Sequence, residues 1–238
     1  MDVVGAFKKP FSDITTLVIG IIVFALTSQI VIALIPVIGL ILALIAILIV
    51  SGYTFEVAVK SSKGDSALPK FSNPVGLLVR GIKVVVAELI YLLPGIVVSA
   101  IGAASAIVIV VTKVMEAGGS VSDPTQLWQI LAPALASGGI IILPGFLLIF
   151  IGWVLWTSAF FFAARNNSVQ SAFRIGKVIR NFFRLKFLGT LILTIVLAII
   201  ISLIISALSA VGIGVILGII LAYPLQVAFT TILAEGYN

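Results

Sequence analysis

Cysteine and histidine are both absent from this chain of 238 residues, and only 9% of its residues are charged. The missing cysteine removes disulfides, thiolate metal sites and thiol nucleophiles, and the missing histidine removes imidazole proton relays and Ser-His pairs. No phosphate loop, HExxH or nucleophile elbow is present either, so neither a metal site nor a cofactor is expected, and an enzyme is not. The scarcity of charge bears on the fold. A soluble domain carries roughly 25% charged residues and covers its outside with them. Here 62% of residues are hydrophobic and the mean hydropathy is +1.37. Lipid, not water, is the solvent this composition fits.

What is abundant is uncharged apolar length. A helix needs about 20 apolar residues to cross the ~30 Å hydrocarbon layer. Residues 14–50 contain no charge, which is enough for two crossings, with Pro36 and Gly39 marking the reversal. The same stretch follows Lys8 and Lys9 in the manner of a signal peptide, but it is too long for a signal core and no cleavage site follows, so it is expected to remain in the mature protein. The fold class expected is all-α: one integral membrane helical bundle over residues 1–238, with about six transmembrane helices and short amphipathic interfacial helices. The spans are placed at about 14–35, 37–58, 84–112, 138–164, 187–209 and 213–233. A polar loop at 60–74 leads into a surface helix at 75–83, and 126–137 forms a lead-in to the fourth span. Trp153, Trp156 and Phe160 to Phe162 are expected in an aromatic belt at the membrane interface.

Charge placement gives an independent topology. Short cytoplasmic loops accumulate Lys and Arg. With six spans and both termini cytoplasmic in the cell membrane, 13 of the 14 basic residues fall inside, Lys113 alone falls outside, and Ser66 and Ser120 fall on opposite sides. The richest basic segment is 165–186, which has six basic residues and no acidic one. An interfacial helix at about 168–184 is read from its periodicity. Lys177, Arg180 and Arg184 cluster with Arg174 near one edge, and Ala172, Phe173, Gly176, Ile179 and Phe183 form the opposite stripe. These four cations are candidate contacts for anionic lipid headgroups.

Three basic amphipathic stretches, VVGAFKKPF at Val3, VGLLVRGIKVV at Val75 and SAFRIGKVI at Ser171, each precede a pair of apolar spans, as in a weak internal repeat. Four further features stand out: Gly52 and Tyr53 near the end of the second span, Leu68 and Pro69 after a polar loop, the run from Arg80 to Lys83, and Tyr91 to Pro94 in the next span. In these the chain resembles a family of archaeal and bacterial multi-pass membrane proteins defined as domain of unknown function 4013. In that family acidic and tryptophan residues follow the Leu-Pro, where this chain has Lys70, Phe71, Ser72 and Asn73. The resemblance implies a polytopic membrane protein and brings no activity with it.

Two functional readings follow. The first is a non-catalytic membrane protein that binds a partner protein, a second copy of itself or anionic membrane lipids at the cytoplasmic face, with no role in nucleic-acid binding. The second is a small transporter or channel. Glu88 is the acidic residue lying well within an expected span, and intramembrane ionisable groups mark ion paths. Hydration of Glu88 near the interface, or its pairing with Lys83 or Arg165, is the plainer expectation. Pro94, Pro144 and Pro224 fall inside spans, where broken helices would expose backbone to a substrate. Small residues at four-residue spacing (Gly95, Ser99 and Ala103; Ser202, Ser206 and Ala210; Gly214, Gly218 and Ala222) are expected to let helices pack closely.

Overall fold

In a computed structural model of the chain, residues 2–65, 67–117, 123–210 and 212–237 are described, and Ser66 and Ser120 lie outside them. The described residues form helices and turns with no strand. They comprise α1 (Val3–Lys8), a 3-10 turn (Lys9–Phe11), α2 (Ile14–Ala25), α3 (Gln29–Leu34), α4 (Pro36–Ser62), α5 (Pro74–Glu116) and α6 (Pro124–Arg165). A second 3-10 turn (Val169–Phe173), α7 (Ile175–Phe182), α8 (Leu185–Ser209) and α9 (Gly214–Tyr237) follow. Helix starts are set by side chains that satisfy the free N–H groups of a first turn. Asp2 accepts from Gly5 N, Asp13 from Thr15 N and Thr16 N, and Asn73 from Gly76 N. The Thr16 hydroxyl also donates to Asp13, and this bond above all holds the Asp13 carboxyl below the usual carboxylate range.

Five helices, α4, α5, α6, α8 and α9, are long and apolar enough to cross a membrane. Little of this apolar length is covered by protein: in α8 only 6% of the most apolar stretch is buried. An apolar face left bare in this way belongs in hydrocarbon, and the molecule is an all-α membrane helical bundle. The segment 14–35, expected as one span, is divided into α2 and α3 at Thr27 and Ser28, with a further break at Ile35. The Thr27 hydroxyl donates to the Phe24 carbonyl and helps to close off α2. The surface helix at 75–83 and the span at 84–112 are one unbroken helix, as are the lead-in at 126–137 and the span at 138–164. At 1.5 Å per residue, the 43 residues of α5 reach about 65 Å, roughly twice the hydrocarbon thickness. Pro94, Pro144 and Pro224 do not unwind their helices.

The chain divides into two compact units. The first comprises residues 1–87 and 157–238 and is built around α9, against which α1, α2, α4 and α8 all pack. Its core joins Phe24, Tyr53, Val57, Leu68, Leu77, Tyr223 and Val227. The Tyr53 and Tyr223 hydroxyls bond each other at 2.8 Å, and Phe71 stacks on Tyr53 with centroids 4.2 Å apart. Phe71, Leu68 and Pro69 thus bring the loop after α4 back onto the core. At the α4–α5 contact Gly52 meets the Leu77 carbonyl and Gly81 meets the Leu48 carbonyl. Backbones this close leave no room for a Cβ. Gly214 packs likewise on Ser209 and Ile205, joining α8 to α9.

The second unit, residues 88–156, is the hairpin of α5 and α6. Gly95 and Gly102 on α5 meet Gly145 and Gly138 on α6, Gly145 meets Ser99, and Gly152 meets the Tyr91 carbonyl. Glycine thus recurs every seventh residue on both arms, the spacing that keeps one seam facing its partner in a left-handed supercoil. Of the stripe expected in α5, Gly95 and Ser99 lie in this seam. Ala103 is exposed, and Gly102 and Ala106 take its place because the seam follows 3.5 rather than 4 residues per turn. The stripe Ser202, Ser206 and Ala210 on α8 is exposed. The aromatic belt is also corrected: Trp153 is exposed, but Trp156 packs beside Tyr91 and Phe161 is buried. The three basic stretches read as a repeat take three different forms, a short helix with a 3-10 turn, the start of a long helix, and a 3-10 turn followed by α7.

Candidate functional site

The basic segment folds as two short pieces and not as one helix over 168–184. Arg174, at φ −80° and ψ 64°, separates the 3-10 turn from the eight residues of α7. Ala172, expected on the outer apolar stripe, is fully buried. Val178 is buried too, and its carbonyl accepts the Ser158 hydroxyl proton at 3.1 Å, which ties α7 to α6 within the first unit. Asn181 lies on the same buried face.

The remaining surface of α7 has two characters. At 100° per residue Lys177 and Arg180 fall within about 60° of one another, and both are exposed, as are Arg174 and Arg184 just before and after the helix. Ile175, Ile179 and Phe183 form an adjacent apolar strip, with exposures of 56%, 39% and 66%. Among the described residues none of the four cations has a carboxylate within ion-pair distance. The helix therefore has one face against protein, one that carries cations without an ion pair among the described residues, and one of exposed apolar side chains. A helix lying along a membrane surface has such an environment.

Two polar pockets accompany it in the first unit. The larger, about 860 Å³, lies along the first turns of α5 and the turn before α7, with Arg80, Lys83, Asn167 and Gln170 among its lining residues. Arg80 donates to Glu56 at 2.6 Å, which accounts for Glu56 near the end of α4. The smaller, about 360 Å³, contains Lys9, Ser61, Asp65, Thr231 and Glu235. Lys9 is buried, and its Nζ donates to Ser61 Oγ at 2.9 Å and to the Asp65 carbonyl at 3.0 Å. Ser61 in turn donates to Thr231 at 3.3 Å. The ammonium sits at the negative end of α4, which favours it. Burial pushes it below its ordinary value of 10.5, while Asp65 and Glu235 pull it back up. Beside this pocket Asp2 N donates to Glu235 at 3.2 Å, joining the first helix to the last.

Glu88 is half-buried near the start of the second unit and has no ion pair within it among the described residues. No group of three or more Asp or Glu residues comes together among the described residues. Of the candidate residues, the structure puts Lys177 and Arg180 on one exposed face of α7, with Arg174 preceding the helix and Arg184 at the cap of α8. Glu88, on α5, belongs to the other unit. The α5 pocket and the Lys9 cluster were missed, although the line Gly76, Arg80, Lys83 at helical spacing was a readable signal for the first.

Long apolar helices with bare faces, together with a three-faced surface helix, define a multi-pass helical membrane protein. The chain belongs to the family described as protein of unknown function DUF4013, whose pattern matches residues 35–210, more than half of its length. No curated protein matches it, and neither does any solved structure. The matched stretch contains Gly52, Tyr53, Leu68, Pro69, Gly81 and Arg80, the residues that pack α4, α5 and the intervening loop together.

Proposed function

We propose that this protein is a non-catalytic membrane component that binds anionic lipid at the cytoplasmic face of the cell membrane through α7. The observation that carries the reading is the division of α7 into a buried, a cationic and an exposed apolar face. Each Lys or Arg near an anionic surface contributes about 1 kcal/mol of attraction. Nucleic acid would use the cations but leave Ile175, Ile179 and Phe183 without a partner.

The orientation rests on geometry as well as charge. The Asp2–Glu235 and Lys9–Ser61 bonds support a common side for both termini and the end of α4. With five long helices after residue 35, a common side requires that α2 and α3 together complete a sixth crossing. Thirteen of the fourteen cations then share that side, which the charge rule assigns to the cytoplasm.

The test exploits the lack of native cysteine. Ile179→Cys carrying a polarity-sensitive fluorophore should report an apolar environment in vesicles containing anionic lipid, and a wetter one when Arg174, Lys177, Arg180 and Arg184 are all changed to Gln. An unchanged signal would remove the lipid reading and leave a partner protein or a second copy as the binding partner, which native mass spectrometry of the gently extracted protein would identify. The half-buried Glu88 motivates the transporter reading. If it holds, Glu88→Gln alters ion or solute flux in proteoliposomes.

A further inference from the structure

The larger pocket shares with the α7 surface the lack of an acidic lining residue and differs from it in being concave. Its walls come from α4, α5 and the turn before α7, all within the first unit. Two lines run side by side along α5. Arg80 and Lys83 lie on one line between the small residues Gly76 and Ala87, and Val75, Val79 and Val86 form an apolar line, exposed by 70%, 46% and 50%. Across from them Asn167, Ser168 and Gln170 add neutral donors and acceptors, and Phe55 and Phe173 add apolar surface. Arg80 spends one guanidinium N–H on Glu56, while Lys83 is exposed with no ion pair among the described residues. At about 860 Å³ the pocket is in the range of sites that take a small organic ligand.

These features select a ligand. Lys83 without an ion partner, and the guanidinium N–H groups that Arg80 does not spend on Glu56, suit a phosphodiester. The amides and hydroxyl suit a hydroxylated group, and a choline or ethanolamine headgroup would find no carboxylate for its ammonium. The valine line gives an acyl chain an apolar path beside the polar wall. We propose that this pocket holds one phospholipid whose headgroup is a phosphorylated polyol, with Lys83 and Arg80 on the phosphate, Asn167, Ser168 and Gln170 on the hydroxyls, and a chain along Val75, Val79 and Val86. The proposal rests on the reading above that this end of the protein meets an anionic membrane surface, but it assigns a discrete site where α7 provides only a surface.

The experiment is native mass spectrometry of the full-length protein in detergent, titrated with phosphatidylglycerol, phosphatidylethanolamine or phosphatidylcholine, and separately with soluble glycerol 3-phosphate. One phosphatidylglycerol per chain is expected, with phosphatidylcholine and phosphatidylethanolamine at least tenfold weaker. Lys83→Ala with Gln170→Ala should weaken phosphatidylglycerol about tenfold or more, while Lys177→Gln with Arg180→Gln leaves it in place. Circular dichroism of each variant, with an unchanged unfolding midpoint, confirms that the fold persists; Lys83→Arg should restore binding. Equal retention of the three lipids, no retention, or loss only in the α7 variant overturns the pocket, and the last of these leaves the α7 reading intact. Binding of glycerol 3-phosphate as tight as that of the lipid overturns the lipid as the source of the headgroup.

Discussion

Lys9 was legible in the sequence only as one of two cations ahead of an apolar run, yet its side chain closes the contact between the first turn, the end of α4 and α9. Its burial has a pH consequence. The native value is lowered from 10.5, so between that lowered value and 10.5 the unfolded chain binds more protons than the folded one. Stability should therefore rise with pH through this window and be reduced below it. Unfolding midpoints measured in detergent at rising alkaline pH should show the rise in the native protein, and Lys9→Met should flatten it. Tyr223→Phe would leave the buried Tyr53 hydroxyl without its partner and should cost about 1–2 kcal/mol in chemical unfolding. Neither interaction could be read from the sequence, because the Tyr53–Tyr223 pair spans 170 positions and no local pattern marks a partner so distant.

At the scale of elements, periodicity was informative where a single environment acted along a helix. The apolar lengths of α4, α8 and α9 lie close to the expected spans. The cationic edge of α7 was visible for the same reason. Its third face was not, since the burial of Val178 is set by Ser158 on another helix. The unbroken course of α5 was not legible because Arg80 and Lys83 mark a change of environment, and a helix continues through polar residues if its backbone bonds are kept; in α6 the lead-in at 126–137 likewise runs on into the span. Glycine contacts carry the next prediction. Gly81→Ala would drive a Cβ into the Leu48 carbonyl and part α4 from α5, at about 1–3 kcal/mol. Gly139→Ala, with open space around it, should leave the unfolding midpoint within error.

For the whole molecule, the charge asymmetry and the Asp2–Glu235 contact bear on the same question of sidedness. Ser72 and Ala117 are exposed and described, so each can be changed to Cys in an otherwise cysteine-free chain. An impermeant thiol reagent added to intact cells should label Ala117→Cys and spare Ser72→Cys until the membrane is opened. The reverse pattern inverts the orientation, and labelling of both in intact cells removes the even number of crossings. Composition sufficed for the class of fold because burial in lipid is a demand on the average residue. The division of 14–35 into α2, packed on α9, and α3, packed on α4, depends on contacts that composition does not record.

That α1, α2, α4 and α8 all pack on α9 also sets an order of events during synthesis. α9 leaves the ribosome after every helix it packs against. Until it does, Tyr53 lacks its hydroxyl partner and Ser61 lacks Thr231, while α2, too short to cross alone, has α4 but not α9 to lie along. The early helices must therefore wait in the insertion machinery or in lipid as a loose set, and the first unit closes only once its last helix has entered the membrane.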